Sequence, residues 1–396
     1  MKPLVQGGPW PVPRGDGDAC RIDRQALRPG GPASERPGAR PANFLRRLLL
    51  ASALLALSGC STLGHWGQAA GGHLAVTRAA RPVDDWLADP ATPPALAARL
   101  KLSQQMRDFA TTQLALPDNN SYRRYADIGR TAVVWNVIAA PEFGFQLKTW
   151  CYPLMGCAGY QGWFDHDEAQ RHADALKVEG WEVQVQAIPA YSTLGWSRWL
   201  GGDPLLNTFI RYPEGELAAM IFHELAHQRV YASDDTGFNE AYASAVELLG
   251  AREWLATKPE ALAAFETGRA RRARFQALAR EGRERLKAVY TGPAEARPEG
   301  KAAVLADLRE RAPREAPGYE AWFQRANNAS FAILSAYDEL VPAFERLFEH
   351  EGRDWVRFHA AVERLVPLSR EERRATLRSL AGGTPNEADP APRQTR

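Results

Sequence analysis

His223-Glu224-Leu225-Ala226-His227 sets two imidazoles four residues apart, with a carboxylate directly after the first, behind the apolar run Leu217-Ala-Ala-Met-Ile-Phe222. Four residues advance a helix by about 400°, so both rings leave one face roughly 40° apart and can reach a single ion, while Glu224 projects beside them. This donor set suits zinc, with a general base next to an open coordination position. The alternative is a helix with two incidental histidines. It fits poorly with the apolar neighbours, because buried His and Glu need polar partners and a metal supplies one. A third ligand is still required. A histidine six residues after His227, reached through a glycine, is excluded because Val230 and Ser233 occupy those places.

The motif needs rigid elements around it. Glu214 to Tyr231 reads as its helix, and Asn239 to Thr257 as a second helix. Between them Ser233-Asp234-Asp235-Thr236-Gly237 has the chemistry of a tight turn. Upstream, Trp86 to Leu116 carries Leu96, Leu100, Met106, Phe109 and Leu114 at helical spacing, with Thr92-Pro93-Pro94 as a start signal. Thr131 to Ile138 and Trp181 to Ile188 read as strands, with a helix over Asp167 to Glu179 between them. Arg- and Glu-rich helices are expected over most of 260–312 and 318–380, their charge runs being solvated faces. The expected class is α+β, with the two metal helices followed by a helical C-terminal portion. Residues 381–396 are expected to be a disordered tail.

The chain has 396 residues, is 45% hydrophobic and contains twelve tryptophans, enough to bury a sizeable core. Net charge is +2 overall, but residues 1–59 carry nine Lys/Arg against four Asp/Glu. The rest therefore holds 40 against 43, net −3, and makes no case for nucleic-acid binding. Arg46-Arg47, the apolar run Leu48 to Leu57 and Ser58-Gly59-Cys60 follow the order of a secretory signal. Leu57-Ser58-Gly59-Cys60 also resembles the bacterial lipobox, whose cysteine becomes the lipidated first residue. Residues 1–59 are accordingly an N-terminal extension plus signal, and the mature chain is held at a membrane surface by lipid on Cys60. Ser61 after the cysteine resembles the outer-membrane sorting pattern. Cys151 and Cys157 remain in a chain expected to reach the oxidising periplasm, which favours a disulfide. Metal binding by the pair is the alternative, with only His166 and His172 near it in sequence.

Asn239-Glu240-Ala241-Tyr242-Ala243-Ser244 resembles the Asn-Glu-x-x-x-Asp helix of gluzincin peptidases, in which the Glu is the third zinc ligand. Ser244 stands in place of the Asp, so the carboxylate that usually braces a ligand histidine is missing at that position. Glu247, seven residues on along the same helical face, is the reserve ligand. Trp150-Cys151-Tyr-Pro-Leu-Met-Gly-Cys157, Ala190-Tyr-Ser-Thr-Leu-Gly-Trp196, Ile221-Phe-His-Glu-Leu-Ala-His-Gln228, Phe238-Asn-Glu-Ala-Tyr242 and Asn327-Asn328 resemble the bacterial lipoprotein family described as predicted, zinc-dependent aminopeptidases. The likeness runs from about Trp66 to about Val366. It implies a zincin-like peptidase domain over 60–380, with His223, His227 and Glu240 as zinc ligands and Glu224 as catalytic base. The Gly-x-Met-Glu-Asn strand by which established gluzincin aminopeptidases hold a free amine is not found in this sequence.

In such a reaction the tetrahedral oxyanion needs one more donor. Tyr191, after the alternating strand, and Tyr337, ahead of Val341-Pro342, are candidates, and Tyr242 is a weaker one because it shares the ligand helix. The 191–195 stretch could also pair with an extended peptide substrate as an edge strand. The expected function is zinc-dependent hydrolysis of peptide bonds on the periplasmic side of a bacterial membrane. The rivals are a non-catalytic envelope protein that binds peptide on the same fold, and a metal-dependent amidase acting on cell-wall peptides.

Overall fold

Proline and glycine set most of the element boundaries in the computed structural model, which describes residues 67–69, 71–152, 156–190, 202–334 and 340–380. Residues 1–59, where a signal is expected, Cys60, Tyr191, Tyr337 and residues 381–396 lie outside the described residues. A two-residue strand β1 (Arg81–Pro82) leads into helix α1 (Val83–Ala88). The run expected as one helix from Trp86 is in fact two, because Asp89-Pro90 and Pro93-Pro94 interrupt it, and α2 spans Pro94–Thr112 with proline at its first turn. Strands β2 (Arg124–Ala126), β3 (Val134–Pro141), β4 (Trp150–Tyr152), β5 (Gly156–Ala158) and β6 (Gln161–Trp163) follow, then α3 (His166–Val178), β7 (Trp181–Ile188) and β8 (Leu205–Leu206). β3 starts and ends three residues later than the sequence suggested, because Ala139 and Ala140 continue the pairing with β7.

The fold is α+β. The main sheet has the order β6-β3-β7, all antiparallel, and a second small sheet has the order β1-β2-β8. Alternation along β3 divides its faces. Val137 and Ala139, with Val183 of β7, pack on Ala169, Ala173 and Leu176 of α3, while Ile138 and Ala140 face the other side. β4 and β5 form a hairpin in which Cys151 and Cys157 are register partners joined by a disulfide.

The remaining elements are helical: α4 (Glu214–Arg229), α5 (Thr236–Leu255), α6 (Pro259–Thr291), α7 (Arg297–Glu315), α8 (Glu320–Arg325), α9 (Asn328–Leu334), α10 (Val341–His350), α11 (Trp355–Leu365) and α12 (Arg370–Leu380). Gly292-Pro293 splits the long charged run between α6 and α7. α4 and α5 are buried almost all round and lie at the centre of the largest core cluster. Their close approach depends on Gly250, where a Cβ would fall 2.7 Å from Leu114 and 3.0 Å from Phe222. Asn327 and Asn328 brace the helical half against the sheet. Asn327 donates to the Val183 carbonyl (3.0 Å), and Asn328 donates to the carbonyls of Pro141 (2.9 Å) and Glu142 (2.7 Å). Among the described residues no helix is long and apolar enough to cross a membrane.

Candidate metal centre

Helix α4 presents His223 and His227 one turn apart, their rings nearly perpendicular and their Nε2 atoms 3.2 Å from each other. Glu240 reaches the same point from α5. Its carboxylate lies 3.4 Å from His223 Nε2 and 3.5 Å from His227 Nε2, and one donor atom from each of the three residues lies within 4.8 Å of the others. Bonds of about 2.0–2.1 Å to a tetrahedral ion require donor atoms about 3.3–3.4 Å apart. The His–His distance and the nearest approach of each imidazole to Glu240, made to different carboxylate oxygens, lie near that value, so the group could hold a metal ion and is compatible with zinc.

The first turn of α5 sets the position of Glu240. Asp235 caps the helix by accepting from Phe238 N (3.1 Å), and Asn239 clamps the connector by accepting from Ala232 N (2.8 Å) and donating to the Ala232 carbonyl (2.7 Å). The Asn of the Asn-Glu pair thus fixes the twelve residues between His227 and Glu240 into a tight return. Arg373 of α12, itself buried, reaches Asp234 and bridges to Asp235 (3.2 Å), which ties the C-terminal helix to the same connector.

Glu247 stands behind the site and not at it. Its Oε2 accepts from His223 Nδ1 at 3.0 Å, and Arg269 of α6 donates to its Oε1 at 3.2 Å. With Nδ1–H committed to a carboxylate, the lone pair of His223 Nε2 is directed at the common point. The reserve ligand of the sequence reading is therefore the brace that Ser244 does not supply.

The charges follow from this layout. Burial pushes the Glu247 carboxyl up, but the hydrogen bond and charge of His223, with Arg269 and Arg272, outweigh it and hold the group at about 2. Burial pulls His223 down, and its bonds to Glu240 and Glu247 more than reverse this, leaving it well above the ordinary histidine value. His227 is lowered to about 4, first by burial, with His223 adding to the effect and Glu240 opposing it. The two carboxylates thus favour positive charge at this point: a proton on His223 supplies it here, and a divalent ion would displace that proton and take its place.

Glu224 is 2% exposed, on α4 directly after His223. Of the expected tyrosines, Tyr191 and Tyr337 fall outside the described residues. Tyr242 is fully buried, with its hydroxyl on His359 Nδ1 (2.8 Å), and is committed to packing. The sequence reading passed over Tyr231. This residue is 45% exposed and lies between the end of α4 and the clamped Ala232. Its phenol is raised first by burial of part of the ring and then by the charge of Glu240. No sequence signal marks it, because its exposure depends on where α4 stops.

Residues 64–377 match the family described as "Putative aminopeptidase". The chain belongs to that family. Its description points to peptidase activity, and the match takes in every element that builds the metal centre. Searches of curated proteins and of solved structures returned no match.

Proposed function

We propose that this member of the aminopeptidase family is a zinc-dependent, zincin-like peptidase, anchored by lipid on Cys60 at the periplasmic side of a bacterial membrane. The observation that carries the reading is the convergence of His223 Nε2, His227 Nε2 and the two Glu240 carboxylate oxygens on one point, each contact 3.2–3.5 Å, with Glu224 on the adjoining helical position. Zinc bound there supplies Lewis-acid polarisation of the scissile carbonyl and acidification of the attacking water. Glu224 accepts the water proton and returns it to the leaving amine. Tyr231, 45% exposed just past the end of α4 and under the charge of Glu240, is the described tyrosine we assign as donor to the developing oxyanion. Glu247 and Arg269 keep His223 in the tautomer that binds.

Zinc analysis of protein purified without chelators, joined to a peptide-library digest, tests this reading. Wild type should hold one zinc and cleave peptides. Glu224→Gln should hold the same zinc while activity falls by about two orders of magnitude or more. Zinc-free wild type that hydrolyses nothing on addition of the metal would favour the non-catalytic binding protein. Turnover of muropeptides alone would favour the cell-wall amidase.

A further inference from the structure

Tyr122 has three unusual properties that packing does not explain. Its backbone is left-handed, with φ +64°, a costly conformation for an aromatic residue. The side chain is 2% exposed, in the main core cluster. Its hydroxyl is buried and has no hydrogen-bond partner among the described residues. A phenylalanine would fill the same space without burying an unsatisfied polar group.

The surroundings hold this strained position firmly. Tyr122 N donates to the Asp203 carbonyl (2.7 Å), and Gln104 donates to the Tyr122 carbonyl (2.9 Å). The buried Arg107 gathers the preceding loop by donating to the carbonyls of Ser121 (3.1 Å), Pro117 (2.6 Å) and Asn119 (3.1 Å). The loop is docked on α4 through Gln228, which accepts from Asn119 Nδ2 (2.7 Å) and donates to Ser121 Oγ (3.3 Å). Gln228 and Glu224 are four residues apart, so the loop that ends in Tyr122 lies on the helical face that carries Glu224.

We propose that Tyr122 is a positioning residue for Glu224, its hydroxyl supplying the hydrogen bond that orients the carboxylate for proton transfer. Bonds of this kind are often long in a resting site and tighten in the reacting complex. Burial, then the charges of Glu224 and Asp203, against a smaller opposing effect of Arg107, keep the phenol protonated well beyond its ordinary range, so it remains a donor at any working pH. The proposal rests on the reading of Glu224 as the base.

The test is Tyr122→Phe, alone and combined with Glu224→Gln, in the full chain. The expected results are unchanged zinc content, kcat lowered about tenfold or more with KM within about twofold, and no further loss when Tyr122→Phe is added to Glu224→Gln. Thermal unfolding of the same four proteins gives a readout independent of turnover. The Tm shifts of the two substitutions should be non-additive by about 2 °C or more. Additive Tm shifts, or undiminished kcat in an active enzyme, overturn the proposal. If wild type has no hydrolytic activity, the base reading fails on that result, and the Tm cycle still decides whether hydroxyl and carboxylate interact.

Discussion

Removing the carboxylate behind His223 should weaken zinc binding without abolishing it. In Glu247→Ala the His223 Nδ1–H loses its 3.0 Å acceptor, and Arg269 loses the oxygen it holds at 3.2 Å. A hydrogen bond to a charged group contributes about 1.5–3 kcal/mol, which corresponds to a rise in Kd of about 10- to 150-fold. Loss of an outer partner of a metal-bound histidine generally costs about 10- to 100-fold, in the same range. Glu240→Ala removes one of three direct donors and should cost far more. Chelator competition with a chromophoric zinc indicator measures the three affinities. Activity of Glu247→Ala should return toward wild type as zinc is raised, which a lost catalytic group would not allow. An affinity within about twofold of wild type would refute the assignment of Glu247 as the brace, and zinc loss as complete as in Glu240→Ala would make it a ligand after all.

Three other outcomes are expected. Burial lowers His359 to about 4 from about 6.5 in an unfolded chain, so the unfolded state takes up the proton first. Its share of stability, about 3 kcal/mol, is whole above about pH 6.5 and is lost as pH falls toward 4. Tm measured against pH should fall less steeply in His359→Gln, and equal slopes would count against this. Arg373→Ala leaves the buried Asp235 without its close cation and should cost about 3–5 kcal/mol; a Tm drop of less than about 2 °C would show that the C-terminal helix does not hold the connector. Mass spectrometry of membrane-extracted protein should find an acylated N-terminus at Cys60, and a chain that retains residues 44–59 would sink the lipid-anchor proposal.

Much of the centre was legible in the sequence because it is local. A four-residue spacing on a helix fixes the relation of His223 to His227 whatever surrounds them, and an apolar run on both sides of the motif requires that helix to be buried. The Asn-Glu pair and the turn residues Asp234 and Asp235 announced a second helix and a short connector, and the structure shows how they work: Asp235 caps, and Asn239 clamps Ala232. The long strands β3 and β7 were readable from β-branched content and alternation. Two- and three-residue strands such as β1, β2 and β8 were not, because so short a run has no period and exists only through its partners.

Tertiary structure decided what depends on contacts between distant segments. Glu247 could be a ligand or a brace on its spacing alone; the crossing of α5 over α4, with Arg269 arriving from α6, turned it toward His223 Nδ1. Tyr242 was withdrawn from the candidates because His359, 117 residues later, accepts its hydroxyl. Tyr122 carries no motif, and its place beside the Glu224 face follows from a loop folded around Arg107 and pinned to Gln228. A helical period specifies direction within one element. Which groups from different elements meet is set by packing and by the burial of polar atoms, and neither has a signature in a linear pattern.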